Sequence, residues 1–275
     1  MRSSALDRGP RCLRASFVRA IALIASVHAL CLGTVARAQD VPPEGASIAG
    51  ALRIGRSTFA LPPGEWKVVS SGSGSVTYTD TVGRMGAETA SVYLVQVDAD
   101  RTFVASMLHR VPLASTSVSS WTDTTCDRKD TLYRDAFSES FRFPECLLIN
   151  HIVRFWVTAP NSEFDKKIWN WIRDNNVRLP TTVLNCSYRN HFSGDYVFVS
   201  ISVNPEKFGQ APSTNPVWSA SEWHPSAIKS DQARAAFVDG FRKWCYVMAE
   251  NAKATLLDRK PKSVALPSLV ELKLN

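Results

Sequence analysis

The chain has 275 residues, of which 45% are hydrophobic, 21% charged and 10% aromatic, a balance that excludes disordered, collagen-like and coiled-coil classes. Its formal net charge of +7 invites a nucleic-acid reading. Residues 1–38, however, hold six arginines against Asp7 alone, which leaves 26 basic and 24 acidic side chains for the rest of the chain and no broad field for releasing counterions from a phosphate backbone.

In chain order, the first element is a leader: an arginine-rich stretch up to Arg19, an apolar run over 20–33 (AIALIASVHALCLG), then Ala36-Arg37-Ala38. A run of about 14 residues is too short for the roughly 20 that a membrane-spanning helix needs. It reads as a signal-peptide core with a small-x-small cleavage site before Gln39. Cys31 follows His28-Ala29-Leu30 without the small residue of a lipoprotein signal, and no arginine pair precedes the apolar run, which favours the general secretory route. No later stretch is long and apolar enough to predict a membrane span.

Residues 39–56 lack apolar periodicity and read as a flexible linker. The fold is expected to start at 57–61 with a short extended piece, followed by a Pro62-Pro63-Gly64 turn and a strand from Trp66 that dissolves into SSGSGS at 70–75. That small-residue run lacks the lysine of a P-loop and the third glycine of a dinucleotide fingerprint, so it reads as a flexible hairpin connection. Residues 90–97 (ASVYLVQV) and 102–111 (TFVASMLHRV) form a hairpin around 98–101. Asp98 and Asp100 have the opening spacing of a calcium loop but lack its glycine and terminal glutamate, and read as turn residues. Residues 112–131 form a long polar surface loop in need of a staple.

In the second half, 146–157 (CLLINHIVRFWV) is apolar and β-branched enough for a central strand, with a short buried helix as the alternative for a run of this length. A helix starts at Pro160-Asn161-Ser162-Glu163, presents Phe164, Ile168, Trp171 and Ile172 on one face and ends near Asn175-Asn176. Residues 181–192 and 196–203 (YVFVSISV) flank Ser193-Gly194-Asp195 as a second hairpin, and 204–229, with four prolines, is an irregular covering segment. The last element is a long amphipathic helix with a stripe of Ala233, Phe237, Phe241, Trp244, Met248, Ala252 and Leu256, capped by Ser230. The tail beyond it adds a terminal strand or packs along the surface. Together these elements predict a single α+β domain over 57–275: a mostly antiparallel sheet built from hairpins and covered on one face by a short middle helix and the long C-terminal helix.

Removal of the leader takes Cys12 and Cys31 and leaves Cys126, Cys146, Cys186 and Cys245. Four thiols in an exported protein imply two disulfides. Of three possible pairings, Cys126 with Cys146 closes the polar loop and Cys186 with Cys245 ties a strand to the last helix. No C-x-x-C or close histidine doublet supports a metal site, and no cofactor is called for.

The segments FALPPGEW (59–66) and WSASEWHP (218–225) resemble features of uncharacterised exported proteins of proteobacteria, and the opening before the sheet is similar to that of small PsbP/Mog1-like α+β domains. The resemblance implies export and an α+β fold and assigns no activity. Among polar clusters, Trp218, Glu222, Trp223 and His224 stand out: two indole faces with a carboxylate and an imidazole suit a sugar or an aromatic ligand, whereas tryptophans folded back onto the core would make the same residues a structural seal. No G-x-S-x-G elbow or HExxH motif marks a catalytic residue. Three classes follow: a non-enzymatic binding or envelope-associated domain whose partner is a protein or another envelope component, a carrier or sensor of a small apolar ligand, and a hydrolase with a spatially assembled site.

Overall fold

A computed structural model describes residues 41–80, 83–114, 125–140, 143–153, 160–192 and 194–273, with side chains described outside 75–87 and 273. The expected signal peptide and cleavage site, residues 1–38, lie outside the described residues. The centre of the fold is an eight-stranded sheet in which every pair of neighbours is antiparallel. Its members are β1 (Ser47–Ile48), β4 (Trp66–Asp80), β5 (Gly83–Val97), β6 (Phe103–Pro112), β10 (Asp195–Val203), β9 (Thr182–Phe192), β8 (Glu145–Val153) and β7 (Tyr133–Ser138), in that spatial order. A separate two-stranded sheet pairs β2 (Ala51–Ile54) with β3 (Ser57–Ala60). Among the described residues, three α-helices complete the α+β architecture: α1 (Glu163–Asp174), the one-turn α2 (Pro225–Ile228) and α3 (Gln232–Asp258).

The helices cover opposite faces of the sheet rather than one face. On β5, Val92 and Leu94 belong to the core under α3, while Tyr93 and Val95 pack with Ile168 and Ile172 of α1. A strand covered on both sides is apolar at successive positions, which is why 92–95 reads VYLV without alternation. The α3 stripe is buried at the expected steps from Phe237 to Leu256, whereas Ala233 in the first turn is exposed. Its cap is Asp231, whose carboxylate accepts from Arg234 N at 3.0 Å, and not Ser230, whose hydroxyl donates to Ala227 O at 3.0 Å at the end of α2. The tail packs along α3 without forming a strand: Leu266, Leu269 and Leu272 are buried and Trp244 Nε1 donates to Pro267 O at 3.0 Å. No helix among the described residues is long and apolar enough to cross a membrane.

Three further expectations need correction. The stretch read as a flexible linker contains β1 and β2, with Leu52 and Ile54 fully buried; two apolar side chains at alternate positions suffice when a neighbouring strand completes the ladder. The SSGSGS run is not a loop but the middle of β4, held in register against β5. Residues 133–138, not anticipated as a strand, form β7 along β8. The hairpin turn at 98–101 is built as expected, with Asp98 Oδ1 accepting from the backbone N–H of Asp100 at 3.0 Å and of Thr102 at 2.8 Å.

Of the two expected disulfides, Cys126–Cys146 is formed and fastens the short turn at 125–127 to β8. Cys186 on β9 and Cys245 on α3 are brought together as foreseen, but both are free thiols and fully buried. Burial first, and then the hydrogen-bonded Cys186, push the Cys245 thiol well above its ordinary range. A further clasp ties the second hairpin to both sides of the chain, since Asp195 accepts from Arg56 at 2.7 Å and also from Arg259, the left-handed cap of α3.

Candidate functional site

The four residues singled out ahead of the last helix do not converge on one cleft. Trp223 is fully buried, its ring 5.9 Å from Phe237 and under the Arg234 guanidinium at 5.4 Å. Glu222 accepts from Ser213 Oγ at 2.6 Å, Thr214 Oγ1 at 2.6 Å and Thr214 N at 3.1 Å, closing the irregular segment on itself. Those bonds, Ser213 foremost, draw its carboxyl down to about 2. His224 caps α2, with Nδ1 accepting from Ser226 N at 3.3 Å. Trp218 and His224 do meet a residue the sequence placed elsewhere: the His151 ring stacks on Trp218 at 5.0 Å, His224 stands edge-on to Trp218 at 4.7 Å, and His151 Nε2 lies 3.2 Å from Trp218 O. His151 is 1% exposed, and burial holds its pKa below the ordinary value. This trio braces the irregular segment against the end of β8.

A roomier cleft lies elsewhere, on the α1 side of β4. In a strand, residues two apart share a face, and the register places Gly72 opposite Ser91 and Gly74 opposite Thr89, on the face that carries Tyr93. A Cβ added at either glycine would meet nothing within 4 Å. Two missing side chains in succession therefore leave a bare backbone floor, the pattern by which a strand glycine admits close approach of another group. The cleft above it has a volume of about 470 Å³, within the roughly 300–1,000 Å³ range of small-ligand sites.

One wall comes from the sheet and the other from the first turns of α1. On the sheet side, Arg110 Nε donates to Ser91 Oγ at 3.0 Å and Thr89 Oγ1 donates to Gly74 O at 3.2 Å. On the helix side, the cap Ser162 donates to Asp165 Oδ2 at 2.7 Å, Phe164 is half-buried, and Lys166 holds Glu163 at 2.5 Å. Lys167 pairs with Glu44 at 2.8 Å, and Glu44 also accepts from Ser71 N at 3.2 Å, so the chain before β1 braces the rim. Arg110 and Asp165 make no ion pair among the described residues. Arginine and lysine, glutamate and aspartate thus line the cleft in equal number, together with hydroxyls and one phenyl ring.

Comparison with protein-family models, with curated proteins and with solved structures finds no significant match. Among the described residues, no group of three or more histidine, cysteine, aspartate and glutamate side chains is arranged to hold a metal ion. The cleft residues escape a sequence reading because Arg110, Asp165 and the glycines lie far apart in the chain. The one local signal is glycine at alternate positions among hydroxyl residues, which is a loop signature until a partner strand is known.

Proposed function

We propose that the chain is an exported, periplasmic or secreted, non-catalytic binding protein that receives a polar component of the cell envelope in the glycine-floored cleft. The observation that carries this reading is the pair of open glycines, Gly72 and Gly74, beneath walls of fixed donors and acceptors. An apolar-ligand carrier draws less support, because the cavity beside Phe59, Met107 and His109 measures about 10 Å³, close to the volume of a single water probe. A hydrolase draws less support from His224, whose Nδ1 contact with Ser226 serves the cap of α2. The Cys126–Cys146 bridge accords with export. A protein partner is the second reading, favoured by the exposed Phe137, Phe143 and Phe192 at the hairpin end of β7 to β9, where Phe143 and Phe192 stand 5.9 Å apart.

The test is thermal melting of wild type and Gly72→Val against fractions of an envelope extract. A fraction present at 100 times its dissociation constant stabilises the wild type by about 2.7 kcal/mol through mass action and leaves Gly72→Val unaffected. Equal stabilisation of both proteins overturns the cleft as the site. Chemical conversion of the active fraction overturns the non-catalytic reading.

A further inference from the structure

We propose that the cleft takes a short uncharged oligosaccharide, an assignment that rests on the reading of the cleft as a binding site. Four observations carry it. First, the lining is charge-balanced, and two of its charged side chains are already paired, Glu163 with Lys166 and Lys167 with Glu44. An anion would meet as much repulsion as attraction there. Second, the groups with hydrogen-bonding capacity left over are of both kinds. Arg110 donates only through Nε among the described residues, so its terminal N–H groups remain to donate, while Asp165 uses Oδ2 alone on Ser162. A sugar hydroxyl donates and accepts at once, and a wall that offers a planar guanidinium opposite a carboxylate matches two neighbouring hydroxyls better than it matches any group of one polarity.

Third, the surfaces that are not polar are flat. The backbone floor at Gly72 and Gly74 admits a ring without a clash, and the half-buried Phe164 supplies one apolar wall. A pyranose presents a C–H face to such surfaces and its hydroxyl rim to the sides. Fourth, the cleft is open and its polar groups are held by hydrogen bonds within the wall, so binding requires little reordering. An apolar ligand would desolvate the terminal N–H groups of Arg110 and Oδ1 of Asp165 without offering them partners, and an extended peptide adding to β4 would use the strand's edge rather than the side-chain face.

The experiment is an NMR titration of the ¹⁵N-labelled protein with neutral trisaccharides of glucose, galactose, mannose and N-acetylglucosamine, and separately with trialanine and inorganic phosphate. The expected result is that at least one trisaccharide moves the amide signals of Gly72, Gly74 and Ser91 and the Nε–H signal of Arg110. Gly72→Val then weakens that binding at least tenfold, as does Arg110→Gln, with no loss of thermal stability in Gly72→Val, since its added side chain enters open space. Shifts of the same signals with trialanine or phosphate but with no trisaccharide overturn the saccharide assignment and leave the cleft as a binding site. Equal trisaccharide affinity in wild type and Gly72→Val places the sugar elsewhere and overturns the proposal. Silence with every probe, together with no effect of Gly72→Val on stabilisation by envelope fractions, overturns both readings.

Discussion

Replacing His109 by leucine tests whether the core of this protein contains a pH-dependent weakness. His109 sits on β6 between Val92 and Val199 in the register, is 1% exposed, and has Phe59 at 4.9 Å; its Nδ1 has no hydrogen-bond partner. Burial pushes its pKa from 6.5 down to about 3. The folded chain therefore keeps the imidazole neutral, while the unfolded chain binds a proton below the ordinary value. By linkage the site's contribution to stability is fully present above pH 6.5 and is lost as the pH falls toward 3. Those two values give a loss of about 2 kcal/mol between pH 7 and pH 5 from this residue alone. His109→Leu removes the proton site and the unpartnered nitrogen, so it unfolds at pH 7 with a stability equal to wild type or up to about 1 kcal/mol higher. Urea unfolding followed by tryptophan fluorescence at pH 7, 6 and 5 measures both proteins. Carboxylates and the remaining histidines titrate alike in the pair and cancel. The variant's advantage should grow by about 2 kcal/mol on going to pH 5; a gap that stays constant within about 0.5 kcal/mol would show that His109 is not held neutral by burial and would refute the reasoning.

Trp223→Ala should destabilise by about 3–5 kcal/mol, as for a buried aromatic side chain, whereas His224→Ala removes a cap and one ring contact with Trp218 and should cost less, about 1–2 kcal/mol; unchanged melting of Trp223→Ala would return residues 218–224 to consideration as a ligand site. The intact mass of protein recovered from an exporting host should begin at Gln39, and recovery of the full-length chain would defeat the export proposal. In the same sample, iodoacetamide should label Cys186 and Cys245 only after denaturation, because both thiols are fully buried, and should never label Cys126 or Cys146; labelling of either of the latter would contradict the bridge described.

Much of the architecture was legible in short-range pattern. The α3 stripe recurs at the helical period from Phe237 to Leu256 and has one satisfactory placement, facing a core. The 98–101 turn and the Gly194-Asp195 pair ahead of β10 carry their own aspartate and glycine chemistry. Legibility failed where identity and environment part company. Gly72 and Gly74 look like a loop, yet in β4 their ladder bonds to β5 are worth as much as those of any other residue, and their missing side chains become a floor. Trp218, Glu222, Trp223 and His224 look like one cluster because they are close in sequence, but Trp223 enters the core, Glu222 ties the loop, and Trp218 and His224 share a brace with His151 while His224 also caps α2.

The sequence by itself determined the α+β class, the positions of both hairpins and of the two longer helices, and the pairs of cysteines that become neighbours, because each follows from local periodicity, turn chemistry or the need to cover an apolar stripe. Tertiary structure alone decided which sheet face each helix covers, that Cys186 and Cys245 meet as thiols, and that Arg110, Asp165, Phe164 and two glycines surround one cleft. Those outcomes depend on strand order and register, and a pairing between residues scores of positions apart is set by the balance of burial over the whole sheet rather than by any segment's own preference.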